Sequence, residues 1–208
     1  MRRASRSGRP KTMRTLNHRA FLFSIQPIPP IPSSEGTTSP IPSTGAQRPF
    51  RLLLRHKEQI CSWVTTRRSL TLVSGESADR LSVPILNRWI DSSLAAFVAL
   101  KTSDRTALGF CTLSRAELPG IPPSYVEICH LVVDPGHRRL AVGSSLVRSA
   151  IQYASLRCFS FVCGRVVSSN DYALTLAHYM RAEEITGLER WLPEDFRWFR
   201  FVSKHNED

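Results

Sequence analysis

The chain has 208 residues, 42% of them hydrophobic, and a formal net charge of +11. That length gives room for one domain with a real core plus an appendage, and no apolar run approaches the roughly 18 residues that a membrane-crossing helix needs. The charge is uneven: residues 1–48 hold eight Lys/Arg and one acid, Glu35, whereas the rest of the chain holds 20 Lys/Arg against 16 acids. The basicity is therefore that of a tail, which argues against a nucleic-acid surface on the folded part.

Taken in chain order, residues 1–48 read as an unstructured basic tail. They carry Pro10, Pro27, Pro29, Pro30, Pro32, Pro40 and Pro42 among many Ser and Thr, and Gln26–Ile41 is expected to be extended. Arg- and Ser-rich, acid-poor composition is that of an organelle transit peptide; a plain disordered tail is the equal alternative. The expected location is cytoplasmic, or a plastid or mitochondrion if the segment acts as a leader. Phe21–Ile25 is too short for a secretory core.

Residues 49–208 are expected to form one domain. Phe50–Trp63 is ambiguous. Ser69–Ser74 alternates as a short strand. Ala78–Ile90 spaces Leu81, Ile85, Leu86 and Trp89 as a helix, with Pro84 in its first turn or at a kink. Ala95–Lys101 and Ala107–Arg115 read as a hairpin, a Pro-rich loop follows, and Tyr125–Val133 reads as the next strand. A helix is expected from about Ala141 to Leu156, a strand over Cys158–Val167, and a helix capped by Ser169 or Asn170 running to about Arg181. Ile185–Trp191 and Phe196–Val202 form a last hairpin, whose Trp191, Trp198, Phe199 and Phe201 read as core. This order argues for an α/β domain on a mixed sheet flanked by helices. The five cysteines, Cys61, Cys111, Cys129, Cys158 and Cys163, are odd in number and lack C-x-x-C spacing. They read as buried free thiols, neither a disulfide frame nor a metal site.

The most informative stretch is Val132–Val147, VVDPGHRRLAVGSSLV. A β-branched run ends at Asp134-Pro135, a basic turn follows, and Ala141, Gly143, Ser144 and Ser145 open a helix. A strand leading into a small-residue helix N-terminus can hold phosphates, because the first N–H groups of a helix lack intrahelical partners and the dipole favours an anion there. A dinucleotide site does not fit, since G-x-G-x-x-G is absent.

Val133-Asp134-Pro135 followed by Arg138-x-x-Ala141-x-Gly143 resembles the signature of the GNAT superfamily of N-acetyltransferases, and the element order from about Ser69 to Val202 resembles it too. The resemblance implies a mixed, mostly antiparallel sheet with a splayed middle, and acetyl-CoA as co-substrate with no metal. It implies that backbone groups of Leu131, Val132 and Val133 pair with the pantetheine arm. It also implies that backbone N–H groups across Arg139, Leu140, Ala141, Val142, Gly143 and Ser144 hold the pyrophosphate, that Arg138 steadies the turn or touches phosphate, and that Asn170 contacts the CoA arm. Arg139 and Ala141 occupy positions where the family commonly has Gly; Ala141 is within the family's allowed pattern, and Arg139 is a departure. Arg139 either adds a phosphate contact or faces solvent.

Amine acetylation needs a base to take the amine proton. Glu127, on the strand before the turn and six residues ahead of Val133, resembles the glutamate base of histone-acetylating members. Its apolar strand is expected to raise its basicity. Alternation puts Glu127, Cys129 and Leu131 on one face and Ile128, His130 and Val132 on the other. His130 is the second choice, and reads better as a hydrogen-bonded core histidine. The family's tyrosine acid falls at Ala177, and the usual Gly-Phe is missing near Arg181–Glu184. Tyr179 is the candidate acid, with water as the alternative and Tyr172 and His178 as nearby polar groups. The expected activity is acetyl transfer to a primary amine, on a small molecule or protein, in a ternary complex, by a monomer or homodimer. The rival readings are a CoA-binding protein without catalysis and a basic-tailed nucleic-acid-associated protein.

Overall fold

The computed structural model describes residues 23–28, 52–74, 78–116, 124–187 and 195–201. Expectations for the rest of residues 1–48, for residues 118–123 of the Pro-rich loop and for Trp191 lie outside the described residues. Among the described residues, seven strands form one sheet in the order β1-β2-β3-β4-β5-β7-β6. They are β1 (Phe23–Ile28), β2 (Ala95–Lys101), β3 (Ala107–Arg115), β4 (Tyr125–Val133), β5 (Phe161–Val167), β6 (Glu183–Glu184) and β7 (Phe196–Phe201). Among these described strands only β4 and β5 pair in parallel; every other neighbour is antiparallel.

The helices are α1 (Leu54–Ser62), α2 (Arg67–Ser74), α3 (Val83–Asp91), α4 (Val142–Leu156) and α5 (Asp171–Tyr179). Helices α1 to α3 cover one face, where Ile60, Leu70, Leu86 and Trp89 pack on Ala96, Val98, Leu100 and Phe110. Helix α4 covers the other, where Val142, Leu146, Val147, Ala150 and Ala154 meet Phe97, Leu108, Cys111, Leu113, Val126 and Val162. Helix α4 lies so close to β3 that a Cβ on Gly109 would come within 2.8 Å of Val142 and 2.9 Å of Leu146.

Four expectations are corrected. Phe23–Ile28, assigned to the tail, is an edge strand paired across six positions with β2, and Pro27 sits where an edge tolerates a missing donor. Ser69–Ser74 is not a strand but part of α2. Thr66 and Ser69 cap that helix reciprocally: each side-chain oxygen accepts from the other's backbone N–H, at 3.1 and 3.2 Å. Cys158 is neither buried nor in a strand; it is exposed, just past the end of α4. In the last hairpin the described pairing starts earlier than Ile185, at Glu183–Glu184, and is prolonged by the Ile185 N–H donating to the Trp198 carbonyl, while residues 188–191 of the expected strand lie outside the described residues. Elsewhere β2, β3 and β4 have the expected limits, Pro84 stands in the first turn of α3, and Trp198, Phe199 and Phe201 are core.

Candidate active site

Strand β4 begins as a regular strand and ends as an irregular one. Thr112 pairs with Cys129 and Phe110 with Val132, so two residues of β4 oppose one of β3, and His130 takes φ +52° to absorb the excess. This bulge overturns the simple alternation. Val126 and Ile128 face α4, as do Leu131 and Val133, whereas Val132 turns to the α1–α3 side. A one-residue slip flips every following side chain. His130 is fixed by its surroundings: its ring stacks on Trp89, with centroids 4.0 Å apart, and Nδ1 shares a 2.8 Å hydrogen bond with Thr112 Oγ1.

The same strand parts from β5. Their pairing consists of Tyr125↔Phe161, Val126↔Val162 and Glu127↔Cys163. β5 pairs no residue of β4 beyond Glu127, so the edge running through Leu131, Val132 and Val133 borders an opening. Glu127 stands at its apex. Its side chain is 7% exposed, and Oε1 accepts a 2.7 Å hydrogen bond from Arg165 Nε. The apolar surroundings expected for Glu127 are thus broken by a cation. Motif reading misses Arg165, although a lone Arg in the apolar run FVCGRVV signals that some acid must pair with it. Burial works against the Arg165 charge, but the Glu127 carboxylate outweighs it, leaving the guanidinium with a pKa above its ordinary value.

The thiols near Glu127 are inert. Burial first, and the Glu127 charge second, push Cys129 up to about 12, and the same two causes raise Cys163. Neither presents a thiolate near neutral pH. Exposed Cys158 lies beyond the far end of the 15-residue α4, about 22 Å from its N-terminus by helical rise.

At the end of β4 the chain turns. Asp134 accepts from the Gly136 N–H at 2.9 Å and pairs with His137 Nδ1 at 2.8 Å, shaping a single 3-10 turn over Pro135–His137. Arg139 and Ala141 then both adopt left-handed backbone, φ +62° and +61°, before α4 starts at Val142. Alternating left-handed residues turn successive N–H groups inward, the form of an anion nest. The N–H groups of residues 139–144 donate to no acceptor among the described residues; Ser145 N–H is the first to do so, to the Ala141 carbonyl. Nest and helix N-terminus together suit a pyrophosphate. Arg139, Leu140 and Ala141 are exposed, Gly143 is half-buried between Val133 and Leu176, and Ser144 is buried with Oγ on the Ala141 carbonyl. The Arg138 guanidinium lies over the Tyr172 ring, 4.8 Å from its centroid, tying the turn to α5.

Asn170 caps α5, its Oδ1 accepting from the Ala173 N–H at 3.2 Å, while Nδ2 reaches the Leu72 carbonyl on α2 at 3.4 Å. Its amide is thus engaged within the protein, clasping the two helices that flank the opening. Tyr179 is the last residue of α5, 64% exposed, with no hydrogen bond or ring contact among the described residues. Ala177 occupies the inward position and packs on Val166 and Phe199. No cluster of three metal-ligating side chains occurs among the described residues.

A sheet parted between two parallel strands, with an anion nest at the end of the parting strand, defines a class of protein built to hold a phosphate-bearing ligand along a strand edge. The chain belongs to the GNAT acetyltransferase family, whose model matches residues 58–180, more than half of the sequence. The fold is shared with solved structures of low identity. An acetyltransferase of the GNAT family from Staphylococcus aureus Mu50 is 17% identical with a TM-score of 0.53, over 73% of this chain and 95% of that one. The GNAT domain of S. lividans PAT is 13% identical with a TM-score of 0.58, over 85% and 88%. The yncA protein of Salmonella typhimurium, solved with its cofactor acetyl-CoA, is 14% identical with a TM-score of 0.52, over 72% and 92%. No curated protein matches the sequence.

Proposed function

We propose that the protein transfers the acetyl group of acetyl-CoA directly to a primary amine, with Glu127 as the base. The observation that carries this reading is a buried carboxylate at the apex of a cleft whose β4 edge has no strand partner. An extended ligand arm can satisfy backbone groups on such an edge, with its phosphates on the nest at residues 139–144. Leu131, Val132 and Val133 supply the rail, and Gly143 keeps the helix start open between Val133 and Leu176. Arg138 steadies the turn through Tyr172, and Asn170 holds α5 against α2 beside the opening.

In the reaction the amine nitrogen forms the amide C–N bond as the thioester C–S bond breaks. Glu127 receives the amine proton, and solvent protonates the departing thiolate, because Tyr179 faces outward and Ala177 stands where the acid would be. Transfer without an acyl-enzyme is favoured by the raised thiols of Cys129 and Cys163. The acceptance of a neutral amine by a held thioester draws its rate mainly from positioning.

Two measurements test the proposal. Acetyl-CoA at about 100 times its Kd is expected to raise the melting temperature by roughly 5–10 °C. In a thiol-release assay over an amine panel, Glu127→Gln is expected to lower kcat by about 10²–10⁴-fold while leaving that thermal shift in place. A thermal shift with no turnover of any amine would mean a binding protein without catalysis, and full activity in Glu127→Gln would remove the assigned base.

A further inference from the structure

The β5 bank of the opening carries a cation that acetyl transfer as such does not require. Arg165 lies two residues beyond Cys163, the last β5 residue paired with β4, so it stands where the strands have already parted. Its Nε is spent on Glu127, and its guanidinium sits over the Trp198 ring at 5.8 Å from the centroid, held from two sides. Its Nη groups make no further hydrogen bond among the described residues, and 46% of the side chain is exposed. Among the described residues, Arg200 pairs with Glu183 and lies over Phe161, and Cys129 and Cys163 are uncharged thiols. Ser114, opposite Glu127 on β3, and Tyr125 bring no charge.

An isolated buried carboxylate at the apex would draw any cationic amine. Here Arg165 cancels that charge and places a positive group on the way in, which opposes polyamines and other purely cationic acceptors. The pair is complementary, sign by sign, to an acceptor that carries both charges close together. A guanidinium with its outer nitrogens open is the preferred partner of a carboxylate. In an α-amino acid the amine and carboxylate branch from one carbon, as Glu127 and the Arg165 Nη groups adjoin through one hydrogen bond. We propose that the acceptor is a free α-amino acid, its carboxylate held by the Nη groups of Arg165 while its amine meets Glu127. This rests on the N-acetyl-transfer reading above and narrows its acceptor.

The test uses the full chain and acetyl-CoA in a thiol-release assay, with matched acceptors: amino acids, their amides and their decarboxylated amines, such as phenylalanine, phenylalaninamide and phenethylamine, across side-chain types. For side chains that are turned over, the amino acid is expected to exceed its amide and amine in kcat/KM by about 10–100-fold, the worth of a charge-assisted hydrogen bond. Arg165→Met is expected to bring that ratio close to one. The ratio compares acceptors on one protein, so a general loss of base positioning cancels. If Arg165→Met does not fold, Arg165→Lys decides: it keeps a charge but loses the fork, and its ratio must fall. A wild-type ratio at or below one, or an unchanged ratio in the Arg165 variants, overturns this inference alone. Failure to acetylate any amine despite acetyl-CoA binding overturns the N-acetylation reading and this one with it.

Discussion

Arg181 takes a left-handed backbone, φ +54°, at the end of α5, and Cys158 does the same, φ +59°, at the end of α4. Both close their helices with a paired motif. Ala182 N–H donates to the Ala177 carbonyl and Arg181 N–H to His178; Phe159 N–H donates to Ala154 and Cys158 N–H to Ser155. This is the Schellman arrangement, whose C′ position favours glycine. An L side chain there costs of order 1 kcal/mol. Where the resemblance implies Gly-Phe after α5, the left-handed turn is made by Arg181, which bears the strain. Arg181→Gly and Cys158→Gly are each expected to raise the melting temperature by about 2–4 °C, the equivalent of roughly 1 kcal/mol. Thermal melts at fixed pH check this, and a drop for both would show that the positive φ is unstrained. The Arg139 and Ala141 pair of left-handed residues carries the same strain at the nest, where the N–H groups it turns inward are its return.

Helix α1 shows how one buried histidine makes an element sensitive to pH. His56 is buried near its start, and its Nδ1 accepts the Leu53 N–H at 3.3 Å, a bond only the unprotonated nitrogen can take. Burial, then the nearby Arg55 charge, lowers the His56 pKa from its ordinary 6.5. The folded protein therefore favours neutral His56, while the unfolded chain gains its proton near 6.5. Stability from this source is intact above that value and is lost as the pH falls from 6.5 to the lower folded pKa. Melting temperatures recorded from pH 8 to pH 5 are expected to decline below 6.5 in the wild type and to decline less in His56→Gln, which keeps an acceptor. Equal slopes would discount the histidine. Legibility in the sequence also divides by element. Strands β2, β3 and β4 are apolar runs bounded by turn residues, and α4 is long and periodic, so the string alone locates them. Helix α2 reads as a strand because Leu70 and Leu72 alternate with Ser69 and Thr71, although Leu70 and Val73 also fall three apart; the Thr66–Ser69 capping pair decides, and it is a weak signal in a string. The bulge at His130 leaves no mark, since nothing in ICHLVV declares where a register slips. Glu127 and the turn at 138–143 are legible from the motif, but Arg165 needs the parallel pairing of β4 and β5 to reach Glu127.

At the scale of the whole molecule the sheet is one continuous body from β1 to β6, and its first strand comes from the segment that composition assigns to a tail. Density of proline and lack of acids describe residues 1–48 as a set, yet FSIQPI between the prolines alternates well enough to pair with β2 across Phe23↔Lys101 to Ile28↔Ala96. Ile28 is buried in the α1–α3 core, and Phe23 and Ile25 pack on the α4 side. Composition averages over such a short element, whereas pairing depends on the edge that β2 offers. The strand also covers β2, which would otherwise present unpaired backbone as a sheet edge. Removing it forfeits one buried Ile and two half-buried side chains, about 3 kcal/mol at the usual worth of such burial. In a chain of this size that is roughly 6–12 °C of melting temperature. Deletion of residues 1–22 is expected to leave the melting temperature within about 2 °C of the full chain, and deletion of residues 1–28 to lower it by at least about 6 °C or to cause aggregation through the bared β2 edge. Any cleavage that spares β1 must then fall ahead of Phe23, which sequencing the N-terminus of the protein isolated from its source checks directly. A mature protein starting after Ile28 and melting as high as the full chain would contradict a stabilising role for β1.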